Sequence, residues 1–338
     1  MRKIPVTDAV GHVLCHDITR IIPGKEKGVG YRKGHVIQGE DVTELQKLGK
    51  EHIYVWEVGS GMLHEDEAAD ILRRLCQGPH IRADEPREGK IELMAEIDGL
   101  LKIEREPLNT INALGELLIA TRHGDFPVKA GDKLAGMRVI PLVIDAKKMA
   151  KAKTLAGDGP LLNLLPLKVK KAAIIATGNE VYYQRIADAF TPAMEAKLVE
   201  YDCPVIFTAT SPDDSARIAD LIHRALDDGV ELILCCGGMS VDPDDLTPAA
   251  IRQSGARVVT YGAPVLPGAM IMLAYHGSVP IVGLPGCAMY NKRTIFDLLL
   301  PRLLADDEIS VTELAALGEG GLCLNCQYCF FPDCGFGK

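Results

Sequence analysis

The chain has 338 residues, of which 47% are hydrophobic and 25% are charged, a composition typical of globular proteins with two or three domains. Its net charge of −9 argues against nucleic acid as the main partner, and no apolar run reaches the length of a transmembrane helix or a signal peptide. We therefore expect a cytoplasmic protein that binds neither nucleic acid nor membranes. It is also a candidate to form a homo-oligomer.

Residues 1–80 alternate short apolar runs with glycine-containing turns, and this pattern predicts a β-rich N-terminal region. One apolar run covers residues 52–56, and one turn is expected within residues 21–24. The apolar spacing and the residues at the ends of two segments predict helices over residues 39–48 and 64–76.

Residues 78–89 are rich in proline, glycine and charge, which is typical of a linker. Short strand-like runs then predict a small mostly-β domain over residues 85–150, with a barrel as the expected form. Residues 146–168 are rich in Lys and Ala and then in Leu and Pro, and we interpret them as a connector.

Strands and helices alternate regularly between residues 168 and 305. Strands are predicted over three runs, which are residues 171–176, 204–208 and 231–236. Such runs are typical of parallel strands that are buried on both faces. Helices are predicted over residues 191–201 and from an N-cap at Ser211 to about Asp228. The alternation predicts a three-layer α/β/α domain with a mostly parallel sheet, preceded by the mostly-β region.

Three glycine-containing loops follow predicted strands of this domain: the first glycine loop (177–181), the second (237–245) and the third (284–288). The ligand of such a sheet binds beyond the carboxyl ends of its strands. Glycine lets backbone amides approach a ligand closely, although tight turns need glycine for steric reasons alone. Because three such loops follow successive apolar strands, we favour a binding site over three ordinary turns.

The segment 171–304 resembles the molybdopterin-binding domain of molybdopterin adenylyltransferases and molybdotransferases, which has a relative in competence-damage-inducible proteins. Residues 176–181 match the family pattern Ser-x-Gly-Asp-Glu-Leu, residues 237–245 match Gly-Gly-x-Ser-x-Gly-x-x-Asp, and residues 284–288 match Leu-Pro-Gly-Asn-Pro. Within residues 1–80, two short segments are similar to parts of molybdotransferases.

The resemblance implies a ligand, molybdopterin or its adenylylated form, and a set of residues for it. Glu180, Asp244 and Asp245 are the expected catalytic residues, and Mg²⁺ is a candidate ion for their oxygen atoms. The expected cofactor-binding residues are Thr177, Gly178, Asn179, Gly237, Gly238, Met239, Ser240, Val241, Asp242, Pro267, Gly268, Leu284, Pro285, Gly286 and Cys287. Asn179, Asp242 and Cys287 stand where the family has Asp, Gly and Asn.

The resemblance implies a role in the biosynthesis of the molybdenum or tungsten cofactor, with metal insertion by a molybdotransferase-like enzyme as one form of it. The alternative is a non-catalytic protein that carries, delivers or senses the cofactor and contacts a molybdenum or tungsten enzyme. A third hypothesis, by analogy with the competence proteins, is a pyrophosphatase that acts on a nucleotide-like ligand. The substitution of Asn179 favours the second hypothesis, whereas the retained carboxylates favour the first.

Four of the ten cysteines lie in the cysteine tail, residues 320–338, at Cys323, Cys326, Cys329 and Cys334. Four thiolates at this spacing predict a metal site, and both an iron–sulfur cluster and a zinc ion fit it. We expect the core elements of the α/β domain to end by about Leu304, so that truncation before Gly321 leaves the domain folded.

Cys287 has two interpretations. If it begins a helix that continues to about Leu303, the helix N-terminus would lower its thiol pKa. As a small buried hydrophobic residue it would instead be unreactive, and this is the interpretation that we favour.

Overall fold

A computed structural model describes residues 2–22, 26–55, 61–87 and 89–338. The chain divides into two compact units. The first comprises Met1–Glu96, Ile103–Arg122 and Ala130–Leu164, and the second comprises Ile97–Lys102, His123–Lys129 and Leu165–Lys338. The predicted domain boundaries, which are 1–80, 85–150, 168–305 and 320–338, stay predictions. Three residues of predicted segments lie outside the described residues: Gly24 of the predicted turn, Trp56 of the apolar run 52–56, and Glu88 of the predicted linker.

Strands and helices are numbered here in chain order. The strands are β1 (Arg2–Pro5), β2 (Ile18–Ile22), β3 (Glu26–Tyr31), β4 (His52–Val55), β5 (Met62–His64), β6 (Ile81–Ala83), β7 (Lys90–Ala95), β8 (Gly99–Ile103), β9 (Leu117–Thr121), β10 (Phe126–Val128), β11 (Lys133–Val139), β12 (Val143–Asp145), β13 (Leu162–Pro166), β14 (Ala172–Thr177), β15 (Val205–Ser211), β16 (Leu232–Cys236), β17 (Arg257–Tyr261), β18 (Met272–His276) and β19 (Val279–Leu284). The α-helices are α1 (Gly39–Lys47), α2 (Glu65–Cys76), α3 (Arg105–Asn112), α4 (Ala146–Ala156), α5 (Asn179–Tyr182), α6 (Phe190–Val199), α7 (Ser215–Asp227), α8 (Thr247–Gln253), α9 (Ile295–Leu304) and α10 (Val311–Ala316).

The first unit contains several small antiparallel sheets. Strand β1 pairs with β4, β2 with β3, and β5 with β12, whereas β6, β7, β11 and β9 form one four-stranded sheet in that order. This sheet has β6 and β9 as its edges, so it is an open sheet and not the barrel that we expected. The two helices predicted from apolar spacing are confirmed as α1 and α2.

The segment 146–168 is more ordered than the expected connector. It contains α4, whose N-cap Asp145 accepts a hydrogen bond from the Lys147 amide, and β13. Alanine and lysine are strong helix formers, and α4 buries Met149, Ala152 and Ala156 on one face. The segment that we interpreted as a connector therefore contains a helix and a strand.

The second unit is built on a six-stranded sheet in the order β15-β14-β16-β19-β18-β17. Strands β15, β14, β16 and β19 are parallel to their neighbours, and β18 and β17 extend the sheet with antiparallel pairs. Every residue of β14 and β16 is buried, as expected for strands that are covered on both faces. A mixed and mostly parallel sheet was therefore predicted correctly.

Two apolar clusters cover the two faces of this sheet. Ala172 and Ile174 of β14 belong to a cluster that includes side chains of α6 and α9. Ala173 and Ile175 belong to a second cluster that includes side chains of α7 and α8. Because successive side chains of a strand point to opposite faces, this division confirms the predicted three layers.

The start of α9 differs from the expectation. The helix begins at Ile295, where the N-cap Thr294 accepts a hydrogen bond from the Phe296 amide and the Asp297 carboxylate accepts one from the Thr294 amide. Cys287 lies earlier, in the 3-10 turn Gly286–Met289. The prediction that Cys287 begins this helix is therefore wrong, because the capping box at Thr294 determines the start.

The core of the second unit continues beyond Leu304. Ile309, Leu314 and Phe336 are buried in the same cluster as α6 and α9. The tail backbone is also attached, because the Leu266 amide donates to the Gly321 carbonyl oxygen at 2.8 Å. The expectation that the core ends by about Leu304 is wrong, since the tail supplies a buried aromatic side chain. Within the described ranges, no helix is both long and apolar enough to cross a membrane.

Candidate functional site

The three glycine loops lie at one edge of the sheet. They follow β14, β16 and β19, which are neighbouring strands and run parallel. Parallel neighbours have their carboxyl ends at the same edge, which is where open α/β sheets bind ligands. The predicted position of the loops at one edge is confirmed.

Hydrogen bonds of a side chain and a close approach of the backbone join the first and second loops. The Thr177 hydroxyl donates to the Cys236 carbonyl oxygen at 3.3 Å and lies 3.0 Å from the Thr247 hydroxyl. Gly237 has a φ of +102°, and a Cβ there would lie 2.5 Å from the Thr177 carbonyl oxygen. Only glycine fits this approach, so the close contact of the two loops requires Gly237.

The second loop has a buried stem and an exposed tip. Met239 is buried under the sheet edge, where a Cβ on Gly283 would lie 2.6 Å from its sulfur. The Tyr261 hydroxyl donates to the Met239 and Ser240 carbonyl oxygens, at 2.8 and 3.2 Å. In contrast, Val241 is 85% exposed, and residues 240–244 are all exposed. The stem is therefore held by the fold while the tip is free to contact a ligand.

The third loop contacts the second through its first residue. The Leu284 carbonyl oxygen accepts a hydrogen bond from the Gly237 amide at 3.0 Å. Pro267 and Gly268 have a different neighbour, because the Ile295 amide donates to the Pro267 carbonyl oxygen at 3.1 Å. A Cβ on Gly268 would lie 2.6 Å from Cγ2 of Ile295. The contacts of Pro267 and Gly268 therefore support the start of α9.

The structure gives Cys287 no activated thiol. Burial raises its pKa above the ordinary value, and a hydrogen bond with its own backbone opposes the effect only in part. This direction contradicts a helix-lowered pKa, which fails because Cys287 does not begin α9.

The first and second loops carry the carboxylates of Glu180, Asp242, Asp244 and Asp245, and Asp213 lies beside them just after β15. Glu180, Asp242 and Asp244 are exposed, whereas Asp245 is half-buried. Within the described part of the chain, the Oδ2 atom of Asp245 is buried and has no hydrogen-bond partner. A buried carboxylate oxygen without a donor is costly, so this atom marks a place where a cation or a ligand donor would bind.

Asp213 faces the same group. Burial raises its pKa above the ordinary value, and the negative charges of Glu180, Asp244 and Asp245 act in the same direction. Its carboxylate accepts a hydrogen bond from the Asn179 amide at 3.0 Å, and its own amide donates to the Asn179 side-chain oxygen at 3.3 Å. A carboxylate in place of Asn179 would be repelled by Asp213, whereas the neutral amide keeps an acceptor for the Asp213 amide without this repulsion.

The sequence did not identify Asp213 as a site residue, because either of two adjacent acids can begin a helix. The structure shows that Asp214 caps α7, since its carboxylate accepts from the Ala216 and Arg217 amides at 3.0 and 3.1 Å. Ser211 is therefore not the N-cap that we predicted. The sequence signal that could have identified Asp214 as the N-cap is its separation along the chain from the first apolar residues of the helix.

The four tail cysteines are free thiols in two environments. Cys323 and Cys334 are half-buried against the core of the second unit, whereas Cys326 and Cys329 are exposed. Over residues 2–22, 26–55, 61–87 and 89–338, no three His, Cys, Asp or Glu side chains are arranged to hold a metal ion. The metal at the tail and the roles of the predicted site residues therefore stay predictions.

Two protein families match the chain. Residues 173–305 match a family described as a probable molybdopterin binding domain, and residues 3–57 match a domain of unknown function. The molybdopterin molybdenumtransferase of Synechococcus elongatus is 25% identical over 181 residues, which are 50% of this chain and 42% of that protein. A CinA-like protein of Fervidobacterium nodosum is 34% identical over 89 residues, 26% of this chain and 22% of its own.

The chain spans less than half the length of these two curated relatives. Among solved structures, the tungsten cofactor synthesizing protein MoaB from Pyrococcus furiosus is similar at 15% identity and a TM-score of 0.35. That similarity covers 42% of this chain and 100% of the other.

Proposed function

Because residues 173–305 form a domain of the probable molybdopterin-binding family, we propose that this chain binds molybdopterin or its adenylylated form at the edge made by the three glycine loops. The observation that carries the proposal is the contact of the three loops. Gly237 lies against Thr177 of the first loop and donates to Leu284 of the third, so one ligand can contact all three loops. The exposed tip of the second loop adds a surface for it.

The site is negatively charged, so we propose that it binds a cation together with the ligand. Molybdopterin carries a phosphate, and Glu180, Asp244 and Asp245 would repel it. Mg²⁺ is commonly held by one or two carboxylates together with the phosphates of a substrate, which resolves this repulsion. The unpartnered oxygen of Asp245 fits this role, with Asp244 and Glu180 as further oxygen donors. When bound, Mg²⁺ would supply the positive charge that lets an anion approach these acids.

The process in which this ligand would be used is the biosynthesis of the molybdenum or tungsten cofactor. The name of the Synechococcus relative supports the proposal, and it favours metal insertion as the reaction. All ten cysteines are free thiols, which fits a reducing compartment, so we place the protein in the cytoplasm. A molybdenum or tungsten enzyme is the proposed recipient of the cofactor.

A second candidate is a protein that carries or senses the cofactor without converting it. Asn179 favours this second candidate, because the first loop has an amide where the family has a carboxylate. The contact between Asn179 and Asp213 holds this amide in place. In this candidate the cysteine tail, with a zinc ion or an iron–sulfur cluster, serves as a redox or partner contact. Turnover separates the two, since only the enzyme converts adenylylated molybdopterin and molybdate to the metal-containing cofactor.

The test is a binding titration with molybdopterin in the presence and absence of Mg²⁺. We expect Mg²⁺ to strengthen binding to the unmodified protein by about tenfold or more, which corresponds to about 1.4 kcal/mol. Asp245→Ala should abolish this difference because it removes the buried oxygen atom.

Asp214→Ala is the matched control, since Asp214 caps α7, and it should keep the Mg²⁺ effect. An unmodified protein that binds no molybdopterin under either condition would overturn the proposal. Equal Mg²⁺ effects in Asp245→Ala and the unmodified protein would exclude Asp245 as the cation ligand and leave the pterin site in place.

A further inference from the structure

The four tail cysteines line a single cavity. It lies in the second unit, has a volume of about 410 Å³, and is bordered by Cys323, Cys326, Cys329 and Cys334. The segment 290–293, which follows the 3-10 turn of the third glycine loop, also lines it. Four thiols that are spread over a dozen residues are therefore brought to one space by the fold.

The backbone of the tail is attached at both ends and free of regular structure between them. The Cys323 amide donates to the Leu266 carbonyl oxygen at 2.8 Å, and the Gly337 amide donates to the Gly320 carbonyl oxygen at 2.9 Å. Residues 323–330, which carry Cys326 and Cys329, lie in neither a helix nor a strand. Two thiols are thus held near the core, and the two exposed thiols lie on a segment that no helix or strand fixes.

The charge of the cavity wall suits an anionic group. Lys292 and Arg293 line the cavity, and none of its described lining residues is an acid, although the whole chain has a net charge of −9. Arg293 also pairs with Glu200 and Asp297, both at 2.9 Å, whereas Lys292 is exposed. A cluster held by four thiolates is anionic, so the positive charge of this wall complements it.

From this arrangement we infer that the cysteine tail holds an iron–sulfur cluster ligated by its four thiolates. Uptake of a cluster replaces four S–H bonds by four S–Fe bonds and releases four protons. Two observations favour a cluster over one zinc ion. They are the volume of the cavity, which far exceeds the roughly 30 Å³ of one water molecule, and the half-buried and buried aromatic side chains of Phe331 and Phe336 along its wall. Burial and shielding of this kind tune a cluster's redox potential.

The thiols do not have to converge before the cluster binds. A metal site rarely exists before the segment that carries its ligands has folded, so the free energy of metal binding orders that segment. The two exposed cysteines would close over a cluster that the anchored Cys323 and Cys334 hold from the core side. This inference does not depend on the ligand of the three glycine loops.

The test uses the full chain, purified anaerobically and incubated with iron and sulfide under reducing conditions. We expect a brown protein with broad visible absorption that disappears in air, and equal amounts of bound iron and acid-labile sulfide. Cys326→Ala and Cys329→Ala should each lose most of this absorption, because each thiolate fills a separate coordination position. Both residues are exposed, so their loss should leave the fold intact, which circular dichroism would check.

Cys287→Ala is the control for removal of a thiol elsewhere, and it should keep the full absorption. Colourless protein with one zinc ion per chain after the same purification would overturn the cluster. Protein with neither metal, in which all four tail thiols are alkylated after reconstitution, would overturn the site as a whole. Failure to bind molybdopterin, by contrast, would leave this result unchanged.

Discussion

Glycines with a positive φ differ in what surrounds them, and this difference predicts how each tolerates a side chain. At Gly237 the φ of +102° coincides with a backbone oxygen 2.5 Å from a Cβ, whereas Gly229 has a φ of +75° with open space around it. Gly229→Ala should cost about 1–2 kcal/mol, the usual cost of a left-handed conformation. Gly237→Ala should cost about 3 kcal/mol, because it adds a backbone clash. Denaturant unfolding of both variants measures the difference, and equal losses would contradict the steric argument.

Asp213 predicts an unusual dependence of stability on pH. Its pKa is raised by burial and by neighbouring carboxylates, so the native state keeps its proton longer than the unfolded state does. Ionisation of Asp213 therefore lowers stability as the pH rises above its ordinary value of 3.8. Asp213→Asn keeps an oxygen for the Asn179 amide and removes the charge. The unfolding free energy of Asp213→Asn minus that of the unmodified protein should therefore be more favourable to the variant at pH 7 than at pH 3.

Asp306→Asn is the control of opposite sign. Although burial raises the pKa of Asp306, hydrogen bonds from Lys168 and Lys170 lower it below 3.8. A lowered acid pKa stabilises the native state above the ordinary value and loses this contribution as the pH falls. Asp306→Asn should therefore lose stability at pH 7 relative to pH 3. Unfolding free energies at the two pH values would reveal both trends, and the same trend in both variants would contradict the assignment.

The regular elements show which parts of the fold the sequence determines locally. Strands β14 and β16 were predicted from their continuous apolar runs, because such runs are typical of strands that are covered on both faces. The start of α9 was missed although its capping box is local in the sequence, and the contacts of Ile295 with Pro267 and Gly268 add a support that only the fold reveals. Of the site, the three loops could be predicted from glycine patterns, whereas Asp213 depends on pairing with a residue 34 positions away.

Helix α9 is fixed at its start by a buried ion pair. Asp297 is 3% exposed, and the Lys197 ammonium donates to both of its carboxylate oxygens, at 2.7 and 2.8 Å. The same carboxylate also accepts from the Thr294 amide. Asp297→Ala should lower the free energy of unfolding by about 3–5 kcal/mol, because it leaves the buried charge of Lys197 with the Lys292 carbonyl oxygen and no carboxylate.

Glu308→Ala tests the same kind of contact at the surface. Glu308 pairs with Arg257 at 2.5 Å, and both side chains are more than 60% exposed. Solvent screens such a pair, so the loss should be within about 1 kcal/mol. Urea unfolding of the two variants gives the comparison. A loss at Asp297 as small as that at Glu308 would show that the buried pair does not hold α9.

The second unit is held together by its last residues as well as by its sheet. Phe336 is 4% exposed and lies in the main cluster, with its ring 6.2 Å from that of Phe331. The Phe331 ring in turn lies 6.0 Å from that of Phe126, a residue far away in the sequence. A side chain from the tail thus completes a core that also includes Phe126, from the segment His123–Lys129 of the same unit.

Removal of this side chain should therefore act on the whole unit. Phe336→Ala should lower the free energy of unfolding by about 3–5 kcal/mol, the usual effect of truncating a buried Phe. Phe330→Ala changes the same residue type in the same tail, but Phe330 is 66% exposed, so the effect should stay within about 0.5 kcal/mol. Truncation before Gly321 should cost at least as much as Phe336→Ala, since it removes Phe336 and the backbone bond to Leu266 together. A truncated chain that unfolds at the same denaturant concentration as the full chain would mean that the sheet and its helices are stable without the tail.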